Sequence, residues 1–121
     1  MSDLAATMTP REIATQVVGA IRALNELTSG EGELTGPRDV RDIVASLELV
    51  GQDLPQLCEQ LARFLVTLHE DGQLRHDSGL DPDSFVTDVI EALAAAGQAA
   101  DMMTAALTEA RTASADLTPD R

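Results

Sequence analysis

Between His69 and Glu91 the chain gathers nine side chains able to ligate a cation or carry a proton: His69, Glu70, Asp71, His76, Asp77, Asp81, Asp83, Asp88 and Glu91. Three metal templates bear on this stretch, and each fails on a named residue. Asp81-Pro82-Asp83 opens like a calcium loop, yet Val86 holds the sixth position where glycine must turn the chain. Ala92 holds the twelfth, where a glutamate should close the coordination sphere. A helical di-iron site needs Glu-x-x-His, whereas Val66 stands three before His69 and Gln73 three before His76. His69-Glu70 lacks the second histidine of a zinc-protease helix. These acids suit helix caps and a solvated loop instead. No metal, cofactor or catalytic residue is expected from them.

Other reactive types are equally isolated. Cys58 is the single cysteine, so no intrachain disulfide can form. No histidine is near it in sequence, and Arg63 is the nearest cation that could stabilise a thiolate, so a small core residue is expected. Met102 and Met103 read as core filler. Gly30-Glu31-Gly32 lacks the lysine of a phosphate-binding loop. The eight arginines are dispersed, and lysine is absent.

The elements that would position these residues follow from hydrophobic spacing. Val40, Ile43, Leu47, Val50, Leu54, Leu57, Leu61, Phe64 and Leu68 are separated alternately by three and four residues. This is the a/d pattern of a helix that buries one continuous seam. It predicts a helix over 37–71, with Leu57 and Leu61 at the centre of the core. The e positions Val44, Gly51, Cys58 and Leu65 widen the stripe to bundle width. Pro55 falls inside this pattern without disturbing its phase, which favours a kink in one long helix over a break.

Asp81-Pro82 marks the next helix start, over 82–114, with Asp81 as the cap. Val86, Val89, Leu93, Ala96, Ala100, Met103, Leu107 and Ala110 carry the same spacing, and the stripe becomes dominated by small residues from Ala92 onward. Thr9-Pro10-Arg11-Glu12 predicts a capped start for a shorter helix over 10–28. The three glycines between residues 30 and 36 predict a flexible connection after it. The expected fold is all-α: a long antiparallel helical hairpin with the shorter N-terminal helix packed along it as a three-helix bundle. It is read as one domain, 1–121, with frayed ends at 1–8 and 115–121.

Charge narrows the function. Twenty-one acids against eight arginines give a net charge of −13. That opposes direct binding to nucleic acid, where cations supply most of the affinity, and docking on an anionic membrane surface. No apolar run reaches membrane-spanning length, and the first residues lack the basic and apolar segments of a signal peptide, so a cytoplasmic protein is expected. Extended apolar seams without a catalytic constellation point to a non-enzymatic interaction or assembly module. An acidic nucleic-acid mimic that binds a basic protein is the alternative, and it requires carboxylates along one continuous face. Leu49 and Val66 outside the a/d/e stripe, with Ile90 and Met102 on the third helix, are the candidate interaction residues. The surplus apolar surface predicts a homodimer, and it would also accept another protein partner.

Overall fold

The computed structural model describes residues 3–30 and 33–120. The chain is all-α, with helices α1 (Asp3–Thr7), α2 (Pro10–Ser29), α3 (Pro37–Glu70) and α4 (Asp83–Ser114). It divides into two compact units, Met1–Gly36 and Pro37–Arg121.

In the first unit, the predicted frayed arm contains the short helix α1, closed by Met8 N–H donating to the Leu4 carbonyl at 3.0 Å. The capping box at Thr9 forms as expected. Glu12 N–H donates to Thr9 Oγ1 at 3.2 Å, and Thr9 N–H donates to Glu12 Oε1 at 2.8 Å. These two bonds satisfy amides that a helix start leaves orphaned, and the Thr9 backbone N–H, then the Thr9 side chain, holds the Glu12 carboxyl below its ordinary pKa. No residue of α2 is buried, and Val17, Val18, Ile21 and Leu27 remain exposed. Glu31 and Gly32 of the glycine-rich connection lie outside the described residues.

The second unit is the antiparallel hairpin of α3 and α4. Helix α3 runs unbroken through Pro55. Its C-terminus closes on Gly72, whose φ of 70° is the left-handed conformation that glycine adopts without a Cβ clash. Gln73 N–H then reaches back to the Leu68 carbonyl at 3.0 Å. Helix α4 starts at Asp83, one residue later than expected, with Pro82 in place of Asp81 as its N-cap and no side-chain cap bond. The Asp81 carboxylate still accepts from Asp83 N–H at 2.9 Å in the turn before it.

Cross-hairpin contacts fix the register. Arg41 lies beside Ala115, Glu48 beside Thr108 and Arg111, and Gly51 beside Met103 and Thr104. Further along, Pro55 lies beside Gly97 and His69 beside Asp83. Levels therefore match steadily from one end to the other, as two helices of 34 and 32 residues joined by a short connection allow.

The face of α3 that packs is turned from the centre of the expected a/d/e stripe: the e positions Val44, Gly51, Cys58 and Leu65 pack as expected, whereas Val40, Val50, Leu57, Leu61 and Phe64 are exposed. Arg41, Val44, Glu48, Gly51, Pro55, Cys58, Ala62, Leu65 and His69 are its buried or half-buried stripe against α4. Each of these residues immediately follows one of the nine a/d positions. The packed stripe is thus turned by one residue, about 100° around the helix. On α4, the expected Val86, Leu93, Ala100 and Leu107 do pack, but Ile90, Gly97, Thr104 and Arg111 replace Val89, Ala96, Met103 and Ala110. The physical reason is size. Gly51, Cys58 and Ala62 on one helix and Gly97 and Ala100 on the other allow close backbone approach. A β-carbon on Gly51 would overlap Thr104 Oγ1 and stand 3.2 Å from Met103 Cε.

Candidate functional site

Turning the packed stripe leaves the most hydrophobic stripe of the molecule uncovered. Leu57 is 48% exposed, Leu61 51% and Phe64 63%, which corrects the expectation that Leu57 and Leu61 are core residues of the hairpin. Val40 and Val50 are also exposed, while Ile43, Leu47, Leu54 and Leu68 are half-buried along the same stripe.

The neighbouring stripe of α4 completes a face. In two antiparallel helices the residues that directly precede the packed ones lie on the same side of the pair, so Val89, Ala96, Met103 and Ala110 of α4 flank the same side of the hairpin as the a/d stripe of α3. Val89, Ala96, Met103 and Ala110, with Ala92, Ala99 and Ala106 beside them, are exposed there. The result is one broad apolar face: a ridge of Val, Leu, Ile and Phe on α3 beside a furrow that is mostly alanine on α4. No charged side chain occupies these positions.

The opposite side of the hairpin is different in kind. A cleft of about 350 Å³ opens there over the close crossing of Pro55 and Gly97, lined by Cys58, Glu59, Ala62 and Ile90 among others, with Gln98 and Asp101 at its edge. This is an open furrow without a convergent set of polar groups. Cys58 is half-buried within it and free.

Between the faces lies one polar cluster. Glu48, only 7% exposed, accepts from Thr108 Oγ1 and from Arg111 Nε, each at 2.5 Å. The Arg111 hydrogen bond, then that of Thr108, holds the Glu48 carboxyl below its ordinary pKa against the opposing effect of burial. The same pairing raises the Arg111 pKa. A carboxylate so satisfied is a structural tie that fixes the register of α3 on α4.

Both histidines of 69–91, with Asp81 and Asp83, are engaged in local structure. His69 Nε2 pairs with Asp83 Oδ1. His76 stacks on Phe85 with ring centroids 3.6 Å apart, and its Nδ1 accepts from Ser78 N–H at 3.1 Å. Among the described residues, no three His, Cys, Asp or Glu side chains converge as a metal site would require. No described helix is long and apolar enough to cross a membrane.

No family model, curated protein or solved structure matches this chain. Geometry alone must therefore rank the candidate residues. Met102 is 75% exposed on the rim of the apolar face. Leu49 is exposed on α3 away from that face, Val66 is half-buried, and Ile90 is half-buried in the opposite cleft. The four are not brought together. Sequence reasoning overlooked the a/d stripe itself as a surface. The signal was present in the small residues that directly follow it, at Gly51, Cys58 and Ala62.

Proposed function

We propose that this chain is a non-enzymatic interaction and assembly module, and that the apolar face of the hairpin is its working surface. One observation carries the reading: the stripe with the most regular hydrophobic spacing is left open to solvent along most of α3. A soluble monomer rarely exposes a contiguous apolar patch of this extent without a partner for it. A helical surface is the natural occupant, because ridges spaced at three and four residues accept the grooves of another helix. The acids support the mimic reading less well. Glu48 is turned into the hairpin, and Asp42, Glu59, Asp88 and Asp101 sit at different angles around two helices.

A photo-reactive side chain at Leu57, compared with one at Glu59, tests the proposal in cell extract. Adducts at Leu57 and none at Glu59 are expected. Absence of adducts at both positions would refute an interaction role for this face.

A further inference from the structure

The interaction reading leaves open what covers the face, and the face itself names a candidate. We infer that the occupant is a second copy of this chain, in a two-fold arrangement that lays the α3 ridge of each copy into the α4 furrow of the other. The inference rests on the interaction reading above and adds the partner and its orientation.

Size is the first argument. Helix α3 has 34 residues, which at 1.5 Å each gives a face roughly 50 Å long. Two helices side by side make it about 20 Å wide. The face thus offers on the order of 1,000 Å² per chain, against the roughly 800 Å² each partner contributes to a standard stable interface.

Self-complementarity is the second. The hairpin register puts Val50 level with Met103, Leu57 with Ala96 and Phe64 with Val89. By the same register Leu47, Leu54 and Leu61 are level with Ala106, Ala99 and Ala92. Consider a two-fold axis parallel to the helices, in the plane between two facing copies. It preserves every level and sets each α3 over the other copy's α4. Leu57 then meets the partner's Ala96, Leu54 the partner's Ala99, and Leu61 the partner's Ala92. Large faces small at each of these layers, which is the condition for dense packing. An axis across the helices would instead oppose ridge to ridge and furrow to furrow. The leucines would hold the copies apart while voids opened over the alanines.

Charge is the third. Repulsion between two chains of net charge −13 opposes association. The parallel axis places it well, because the face is uncharged and its rims interleave. Ser46, Asp53, Gln60 and Thr67 edge the ridge, and Asp88, Ala95, Met102 and Glu109 edge the furrow. On shared levels, Ser46 meets the partner's Glu109, Asp53 the partner's Met102, Gln60 the partner's Ala95 and Thr67 the partner's Asp88. None of these levels pairs two acids. The remaining repulsion is long-range, and salt screens it beyond about 8 Å at physiological ionic strength.

The test combines mass and cross-linking on the full chain. Light scattering at micromolar protein should give twice the 12.8 kDa chain mass, with the dimer fraction rising with salt. Leu57→Glu should weaken association roughly tenfold or more, with helicity by circular dichroism unchanged because Leu57 is half-exposed in the hairpin. In a Cys58→Ser background, a Leu57→Cys variant is mixed with a mass-tagged Ala96→Cys variant and oxidised. A disulfide between the two variants is the expected product. Dominant Leu57→Cys homodimers would overturn the orientation. A monomer mass at both low and high salt would overturn the second copy as occupant. Adducts from Leu57 to other proteins would then show that a different partner takes the face and leave the interaction reading standing, whereas adducts only within the chain would overturn both.

Discussion

Helix α3 carries two parallel stripes one residue apart, and they have opposite fates. The stripe through Gly51, Cys58 and Ala62 is buried or half-buried against α4, although it also carries Arg41, Glu48 and His69. The stripe through Val50, Leu57, Leu61 and Phe64 carries no polar residue and stays open. Hydrophobicity alone would assign them the other way round. Close approach decides the intramolecular contact: small residues let two helices of the same hairpin touch at their backbones. The bulky stripe is left for a contact made at a greater helix separation.

The largest effect is expected where that comparison is attacked directly. Gly51→Leu forces a branched side chain into the space held by Thr104 Oγ1 and Met103. Overpacking of this kind costs ~1–3 kcal/mol, and at a backbone crossing the upper end applies. Chemical denaturation of the variant should show the loss, and an unchanged midpoint would mean that small size is not what selects the packed stripe.

Leu57→Ala should cost less, although leucine is the more hydrophobic residue. A fully buried leucine truncated to alanine loses ~2–5 kcal/mol. At half exposure, and in protein dilute enough to be monomeric, roughly 1 kcal/mol remains. The same variant should lose more stability as protein concentration rises, because the wild-type face then becomes covered. Equal losses at all concentrations, near the fully buried value, would place Leu57 in a core and reverse the assignment of the two stripes.

A smaller effect belongs to the one carboxylate in the packed stripe. Folding lowers the Glu48 pKa through Arg111 and Thr108. A lowered folded-state value means the unfolded chain binds the proton more readily. The contribution is therefore complete above the ordinary carboxylate pKa of 4.5 and is lost as pH falls below it. Arg111 is partly exposed, so solvent screens the pair and limits its size. Stability of the wild-type hairpin should fall more steeply below pH 4.5 than that of Glu48→Gln. Parallel acid titrations of the two would remove Glu48 from the tie.

How much of this was legible beforehand depends on the residue. Helix existence, the capping box at Thr9 and the antiparallel hairpin follow from local chemistry, which acts within a few residues. The passage of α3 through Pro55 was legible too, because an in-phase pattern on both sides implies one helix. The packed face was not, since a/d spacing reports that a stripe is apolar and says nothing about which neighbour covers it. Gly51 and Gly97 held that information, but their meaning emerges only when they are set at neighbouring levels across the hairpin. Leu49 and Val66 read as surplus surface only while the a/d stripe is assigned to the core.

The smallest and most discriminating change is Gly97→Ala. Both crossing glycines are buried in the packed stripe, yet their surroundings differ. The nearest atom to an added β-carbon at Gly97 is Pro55 Cα at 3.6 Å, followed by Pro55 Cβ at 3.8 Å and Cys58 Cβ at 3.9 Å. These are ordinary van der Waals separations, so the methyl group enters free space at the floor of the cleft without moving the backbone. Alanine also favours the helix over glycine by about 0.8–1.0 kcal/mol, mainly by restricting the unfolded chain. Gly97→Ala should therefore raise stability by ~0.5–1 kcal/mol, while Gly51→Ala meets Thr104 and gains nothing. Thermal melts of the two variants side by side check this. If Gly97→Ala lowered the melting temperature as Gly51→Leu does, the helices would cross more tightly at Pro55 than these distances allow, and close approach would extend along the whole stripe instead of being concentrated at Gly51.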